Sequence, residues 1–472
     1  MDGMRGDIRT IHFIGICGTA MASVAVALQE RGFRVTGSDQ DAYPPMSDFL
    51  REHGIEIRAP YAAAHLAAAP DLVVVGNALS RGNVEVEELL RRRLRFCSLP
   101  ELLKEFVLRE RRPLVVAGTH GKTTTSALLA WVFEHAGRNP GFLIGGLPAN
   151  LGRGARFTDG EWFIIEGDEY DTAFFDKRGK FLHYLPEVAI LNNLEFDHAD
   201  IFNSRADIQR SFARFLRLVP PDGLILANGD DPLLRDPLDT VDFAPIRRFG
   251  LGPDNDLRAR DVALGGEGGE FTLGETRFHL PLVGEFNVRN ALAVAACARH
   301  CGLSDAEIQA GFATFRGVRR RMETRGEADG VRVIDDFGHH PTAIKATLEA
   351  LRLRYPGRTL WAVFEPRSNT TRRRVFQDAL ADALAAADGV ALAPVARAGQ
   401  IPAGQRLDLA ALVAALRAAG RAAEAPGDVD AIVTHLLAEV QPGAVICVFS
   451  NGGFGGIHEK LLAGLAARAV PA

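Results

Sequence analysis

Val115-Val116-Ala117-Gly118-Thr119-His120-Gly121-Lys122-Thr123-Thr124-Thr125 is the stretch on which the fold turns. Apolar residues suited to a buried strand run into two glycines, and a lysine with three threonines then opens a helical pattern. Backbone N–H groups of such a turn, with a helix N-terminus behind them, make an anion cradle suited to phosphate. Lys122 is placed to reach the terminal phosphates of a nucleotide, and the Thr123 hydroxyl to meet Mg²⁺. The general phosphate-loop pattern also carries a glycine five positions before Gly121, where this chain has Val116, so the match is partial. The plainer reading is a glycine-rich strand–helix turn with a surface lysine. It leaves the agreement of strand, loop, Lys, Thr and helix unexplained.

Outward from this loop, short apolar runs alternate with helical patterns, which predicts parallel α/β architecture. Strands are expected at Thr10–Ile14, Arg34–Thr36 and Leu72–Val75, with helices near Thr19–Arg31 and Pro45–His53. The charged segment Glu101–Arg112 ends this unit at Pro113. The second unit carries strands at Leu114–Ala117, Trp162–Ile165, Val188–Leu191 and Leu224–Ala227, then a β-ribbon over Asp261–Leu282 and a helix over Val288–Arg299. The third has strands at Arg332–Asp335, Leu360–Phe364, Gly389–Leu392 and Ala444–Phe449, and a surface helix within Leu407–Ala423. The expected organisation is three α/β domains: a Rossmann-like N-terminal domain (1–110), a central phosphate-loop ATPase-type domain (111–317) and a C-terminal Rossmann-like domain (318–472).

Length agrees, since 472 residues at roughly 150 per domain make about three. With 47% hydrophobic and 24% charged residues the chain can bury sizeable cores and is neither disordered nor fibrous. The 54 Lys and Arg against 59 Asp and Glu leave a net charge of -5, which supplies no basic excess for a phosphate backbone and argues against nucleic-acid binding. Five scattered cysteines (Cys17, Cys97, Cys297, Cys301, Cys447) complete no zinc site and read as reduced thiols of a cytoplasmic protein. The apolar run Ile11–Leu28 is broken by Gly15, Gly18 and Ser23, so neither a secretory leader nor membrane insertion is expected.

Further polar clusters follow strands. Glu166-Gly167-Asp168-Glu169-Tyr170-Asp171 comes directly after Trp162–Ile165, where a carboxylate suits a hard cation; a solvated acidic loop is the alternative. Asn192 to Asp200 (NNLEFDHAD) follows Val188–Leu191, and its His198 is a second metal-ligand candidate, although imidazole is an unusual partner for Mg²⁺. Open α/β sheets bind ligands at such strand ends. Near the N-terminus, Gly15 and Gly18 follow the first strand and Asp39 stands 24 residues after Gly15, where an acid could hold a ribose. Phe13 occupies the place of the dinucleotide fingerprint's first glycine, so the fingerprint is incomplete; an NAD-dependent oxidoreductase is the alternative that Gly15, Gly18 and Asp39 leave. Asn287 and Asn290 could read an adenine edge or cap their helix; Arg320 and Arg321 could be functional or a solvated patch. Asp335 to Pro341 (DDFGHHP) suits ribose contacts or capping. Arg367, in the polar loop Glu365–Thr370, could grip a carboxylate.

The order GTHGKTTT, EGDEYD, NNLEFDHAD, NVRNALAVAA, RRRMETRG and DDFGHHPTAI resembles the Mur ligase family over nearly the whole chain. The resemblance implies a cytoplasmic ATP- and Mg²⁺-dependent amide ligase whose three domains bind a UDP-substrate, bind ATP and close over both. GICGTAM with TGSD is similar to members that take UDP-N-acetylmuramate. DAYPPMS near Tyr43, VVVGNALSRGN (Val73–Asn83), FLIGGLPANLG (Phe142–Gly152), EYDTAFFDKRGKF (Glu169–Phe181) and FEPRSNT (Phe364–Thr370) point to those that add the murein tripeptide L-Ala-γ-D-Glu-meso-diaminopimelate. Addition of L-alanine is the alternative within the family. By resemblance, Gly118, Thr119, His120, Gly121, Lys122, Thr123, Thr124, Asn290, Arg321, Asp336 and His339 serve ATP. Thr123, Glu166 and His198 hold metal, with Lys122, Glu166 and His198 as the catalytic set. Gly15, Gly18, Ser38, Asp39 and Asn77 face the UDP-substrate, and Arg367, Ser368 and Asn369 the peptide. The family commonly has His where Phe286 stands here.

Overall fold

The computed structural model describes residues 8–42, 46–197, 201–202 and 204–469. Three sheets follow one another along the chain. The first is five-stranded and parallel, in the order Ile57–Arg58, Arg34–Ser38, Thr10–Ile14, Leu72–Val75, Phe96–Ser98. Its order reverses between Thr10–Ile14 and Leu72–Val75, so Gly15 and Gly76 emerge at the switch point. Side-chain caps set its helices: Asn83 accepts the N–H groups of Glu85 and Val86, and Ser98 forms a capping box with Glu101.

The second sheet has ten strands, from Thr276–Leu280 through Gly268–Leu273, Leu257–Gly265, Ile246–Gly250, Leu224–Asn228, Val188–Leu191, Arg112–Ala117, Trp162–Gly167 and Gly141–Leu143 to Ala155–Arg156. The first three of these are the β-ribbon, paired antiparallel. Arg112–Ala117 is buried after its first residue, as an interior parallel strand must be. It lies between Trp162–Gly167 and Val188–Leu191, with Ala117 opposite Gly167 on one side and Leu191 on the other. Helix Lys122–His135 runs back over this sheet and buries nine of its residues beside helices Glu285–His300 and Asp305–Ala313.

The third sheet runs Glu323–Ala328, Val331–Asp336, Val445–Phe449, Leu360–Phe364, Gly389–Leu392, Ala422–Glu424, parallel except for the first pair. Asp336, Phe449 and Phe364 end their strands in register, so three loops leave the sheet together. The helix expected within Leu407–Ala423 is shorter, Leu409–Ala418. Gly420, at φ +76°, turns the chain, and Ala422–Glu424 pairs with Gly389–Ala391 as an edge strand instead.

The N-terminal and central domains share one buried apolar core. The hairpin Asp171–Ala173/Asp176–Gly179 lays Phe174 against the N-terminal core cluster of Ile14, Val73, Val75 and Leu89, and Phe175 edge-on to Phe96 at 5.1 Å. Below the hairpin, Phe181 is fully buried and stacks on Phe215 at 4.7 Å, anchoring the segment that carries Asp168 and Glu169. Phe181→Ala is expected to cost about 3–5 kcal/mol, read from urea unfolding; a loss under about 1 kcal/mol contradicts this anchoring.

Candidate active site

The three sheets meet around a cavity of about 860 Å³, within the range of small-ligand pockets. The phosphate loop forms one wall. Gly121 is the left-handed residue (φ +80°) before helix Lys122–His135, and a Cβ there would lie 2.7 Å from Asn290 Oδ1 and 3.0 Å from Asn192 Nδ2. Gly118 (φ +135°) allows the equally close approach of Asn193, whose side chain clasps the loop: Oδ1 accepts the His120 N–H at 2.8 Å and Nδ2 donates to the His120 carbonyl at 3.1 Å. Thr119 N–H donates to the Asn193 carbonyl, and Glu195 N–H donates to Thr119 Oγ1. The loop is therefore shaped by side chains that the neighbouring strand delivers.

The strand on the other side delivers the acids. Glu166 accepts the Gly145 N–H at 2.6 Å and the Thr123 hydroxyl at 3.2 Å. Gly146 makes room for this approach, since a Cβ there would meet Thr123 and Val318 within 2.9 Å. Burial raises the Glu166 carboxyl above the ordinary carboxylate range, against the pull of the Gly145 N–H, Lys122 and Arg321. Lys122 Nζ donates to the Gly118 carbonyl at 2.6 Å and to Glu169 at 3.0 Å. Burial opposes its charge, but Glu169 and then Asp168 outweigh burial and raise its pKa, so the ammonium persists. Asp168 is likewise opposed by burial but held well below the usual range by Lys180 at 2.7 Å and by Lys122.

The C-terminal domain closes the cavity. Arg321 donates to Thr123 Oγ1 at 3.3 Å and its guanidinium lies 5.0 Å over the Phe337 ring. Asp336 accepts the Met322 and Gly338 N–H groups, and burial raises its carboxyl. His339 faces Asp197 at 3.7 Å, and Thr370 donates to Asp197 at 2.7 Å, tying the Glu365–Thr371 loop to the central domain. His340 faces Glu195 at 3.2 Å. Burial, then His120, holds its imidazole down to about 4.

Several expected site residues line this cavity together: Thr119, His120, Gly121, Lys122, Thr123 and Thr124 on the loop, and Glu166 beside it. Asn290, Arg321, Asp336 and His339 line it as well, with Gly18 and Asn77 from the N-terminal domain. His198 lies outside the described residues, as does Tyr43. Others are placed differently. Ser38 is fully buried and donates its hydroxyl to Glu85, so it faces the domain interior. The Asp39 carboxylate accepts the Cys17 N–H at 2.8 Å, the Gln40 N–H at 2.8 Å and the Tyr61 hydroxyl at 3.3 Å, and so closes the turn after Gly15. Arg367, Ser368 and Asn369 are not among the lining residues. Ser368 Oγ accepts the Thr371 N–H and Asn369 Oδ1 accepts Arg372, so both shape the loop, while Arg367 runs over Gly452 to Glu365. Arg320 binds Asp335 and the carbonyls of Ser450 and Gly452, a structural role. Residues without an assigned role from sequence include Glu169, Asn192, Asn193, Glu195 and His340. Each stands within a stretch already quoted, but nothing local distinguishes it from its neighbours.

The model for the Mur ligase family, catalytic domain matches residues 10–111, that for the Mur ligase middle domain 116–298, and that for the Mur ligase, glutamate ligase domain 320–452. The chain is 45% identical to the UDP-N-acetylmuramate–L-alanyl-γ-D-glutamyl-meso-2,6-diaminoheptandioate ligase of Escherichia coli, over 97% of this chain and 99% of that protein. It is 35% identical to the UDP-N-acetylmuramate–L-alanine ligase of Variovorax paradoxus, over 99% of this chain and 97% of that one. Its structure resembles the crystal structure of a murein peptide ligase from Psychrobacter arcticus with a TM-score of 0.75 at 38% identity, covering 98% of this chain and 99% of that one.

The Asp39–Cys17 contact is directly testable. Burial, then the Asp39 charge, pushes the Cys17 thiol from 9.0 up to about 11, which leaves roughly 100-fold less thiolate at pH 8. Iodoacetamide should therefore label Cys17 slowly at that pH, and Asp39→Asn should quicken labelling, followed by peptide mass spectrometry. An unchanged rate in the variant removes Asp39 as the cause.

Proposed function

The chain belongs to the Mur ligase family, and from that premise we propose that it joins UDP-N-acetylmuramate to the tripeptide L-Ala-γ-D-Glu-meso-diaminopimelate at the expense of ATP. The observation that carries the choice of amine is the full-length identity, higher to the tripeptide ligase than to the L-alanine ligase. Against the oxidoreductase alternative stands the match of Mur ligase family models along nearly the whole chain.

The lactyl carboxylate of UDP-N-acetylmuramate attacks the γ-phosphorus of ATP, ADP leaves, and an acyl phosphate forms. The α-amine of the tripeptide then attacks the acyl carbon and loses a proton, and inorganic phosphate departs to leave the amide. Both partners of the first step are anions, so cations must stand where they meet. Lys122, kept charged by Glu169, and Arg321, beside Thr123, are those cations. The Thr123 hydroxyl and the Glu166 carboxylate, 3.2 Å apart, are hard oxygen donors that fit Mg²⁺, with His198 as the further ligand the resemblance implies. When bound, Mg²⁺ neutralises charge on the β- and γ-phosphates. The acyl phosphate hydrolyses if water reaches it, and closure of the three domains over the bound substrates is what would keep water out.

The remaining assignments follow the same reading. The domains are 1–110 for the UDP-substrate, 111–317 for ATP and 318–472 for closure. Gly18 and Asn77 face the UDP-substrate, and Asn290, Asp336 and His339 face the nucleotide. Arg367, half-exposed beside Glu365, is the group left in its loop to receive a peptide carboxylate. The setting is the bacterial cytoplasm, in recycling of cell-wall peptides. Among the described residues no helix is long and apolar enough to cross a membrane.

Phosphate release from ATP and Mg²⁺ with UDP-N-acetylmuramate, comparing the tripeptide with free L-alanine, tests the proposal. Release with the tripeptide, together with the mass of the UDP-muramyl-tripeptide, is expected. Release with L-alanine alone makes this the alanine-adding enzyme. Lys122→Ala should abolish turnover while leaving the far-UV circular dichroism unchanged; retained ligation in that variant removes the phosphate-loop assignment.

A further inference from the structure

We propose that His120, Glu195 and His340 bind one divalent transition-metal ion of the Zn²⁺ class, separate from the Thr123–Glu166 oxygen pair, and that this ion ties the C-terminal domain to the phosphate loop. His120 Nε2 and His340 Nδ1 lie 3.4 Å and 3.2 Å from the same oxygen, Glu195 Oε2. One donor atom from each of the three residues falls within 4.8 Å of the others. Donors about 2.0–2.1 Å from a tetrahedral ion are separated by about 3.3–3.4 Å along each edge. Both carboxylate–imidazole edges therefore already have the spacing that such an ion imposes.

The hydrogen bonds around His340 point the same way. His340 caps helix Pro341–Arg354, and its Nδ1 accepts the Thr342 N–H at 3.3 Å. Its Nε2 lies 3.4 Å from the Phe196 carbonyl oxygen. A carbonyl offers only lone pairs, so the ring proton belongs on Nε2 and Nδ1 presents a lone pair. That lone pair faces Glu195 Oε2, which is itself an acceptor for the Thr342 hydroxyl at 2.7 Å. Nδ1 has a single lone pair, so an ion bound between it and Glu195 Oε2 takes that lone pair from the long 3.3 Å contact with the Thr342 N–H. Donation of the distal ring N–H to a backbone carbonyl is also how metal-bound imidazoles are commonly oriented. Two imidazoles with one carboxylate favour Zn²⁺, Co²⁺ or Ni²⁺ over Mg²⁺ or Ca²⁺. All three residues line the cavity, so the fourth position is open to water or a phosphate oxygen. His120 and Glu195 belong to the central domain and His340 to the C-terminal one, which makes the ion a clasp between them.

Titration calorimetry of the full-length, nucleotide-free chain with ZnCl₂ alone tests this. One ion per chain is expected. The affinity should fall more than about 100-fold in His120→Ala, His340→Ala and Glu195→Gln, and stay unchanged in Glu166→Gln. No saturable binding overturns the proposal. So does binding that survives both histidine substitutions but is lost in Glu166→Gln, because the ion then sits with the Mg²⁺ ligands. Should His340→Ala fail to fold, the wild-type protein titrated with Co²⁺ decides: intense tetrahedral visible bands that His120→Ala abolishes support the site, and pale octahedral bands alone refute it.

Discussion

Parallel pairing of Ala117 with Gly167 on one side and with Leu191 on the other sets the level at which everything in the cavity meets. Because the three strands end together, Gly118, Asp168 and Asn192 leave the sheet at the same height. The loop's glycines then fall against asparagines from one neighbour, and its lysine and threonine against carboxylates from the other. A slip of one residue would turn each of these side chains to the opposite face of the sheet. The register is secured by uninterrupted apolar runs buried on both faces, of which Arg112–Ala117 is the central one.

Charge is handled inside this frame by pairing rather than by exposure. Lys122 is surrounded by Glu169, Asp168 and Glu166, and its positive charge is what makes so many carboxylates tolerable in one place. Asp168 carries a second cation, Lys180, while at Glu166 burial prevails over the Gly145 N–H, Lys122 and Arg321 and raises the carboxyl. The site thus shifts two neighbouring acids in opposite directions: Lys180 holds Asp168 down, and burial raises Glu166. An incoming polyphosphate competes with Glu169 for Lys122, so the arrangement stores a cation at the position where anionic substrates need it.

The third sheet repeats the device. Asp336, Phe449 and Phe364 finish level, so the loop carrying His339 and His340, the loop at Gly452 and the loop of Arg367 leave as a group. Their contacts to the central domain are polar, Thr370 and His339 with Asp197 and His340 and Thr342 with Glu195, and Arg321 beside them reaches Thr123. The joint with the N-terminal domain is largely apolar, Phe174 and Phe175 against Phe96 and its neighbours beside a buried core shared by the two domains, with Arg31–Asp159 and Arg153–Glu30 pairs at its rim. Apolar contact favours lasting association, and polar contact favours opening and closing, which suits a C-terminal domain that must admit and release substrates.

Local chemistry in the chain was enough to specify the three α/β units, the strand–glycine–lysine loop and the acids that follow strands. Those features depend on periodicity, turn residues and the placement of polar groups beside apolar runs, all of which are contiguous in sequence. The register of the phosphate strand, and with it the partners of each loop residue, was decided by tertiary structure. So were the hydrogen bonds of Ser38 to Glu85 and of Asp39 to the Cys17 N–H, and those of Ser368 and Asn369 within their own loop. Glu169 shows why. In the sequence it is one of four acids within six residues, Glu166 to Asp171, and only the course of the chain after Gly167 brings it to Lys122 while Asp168 turns to Lys180. Which acid meets which lysine is settled by contacts between residues far apart in the chain, and a single strand of letters carries no record of those distances.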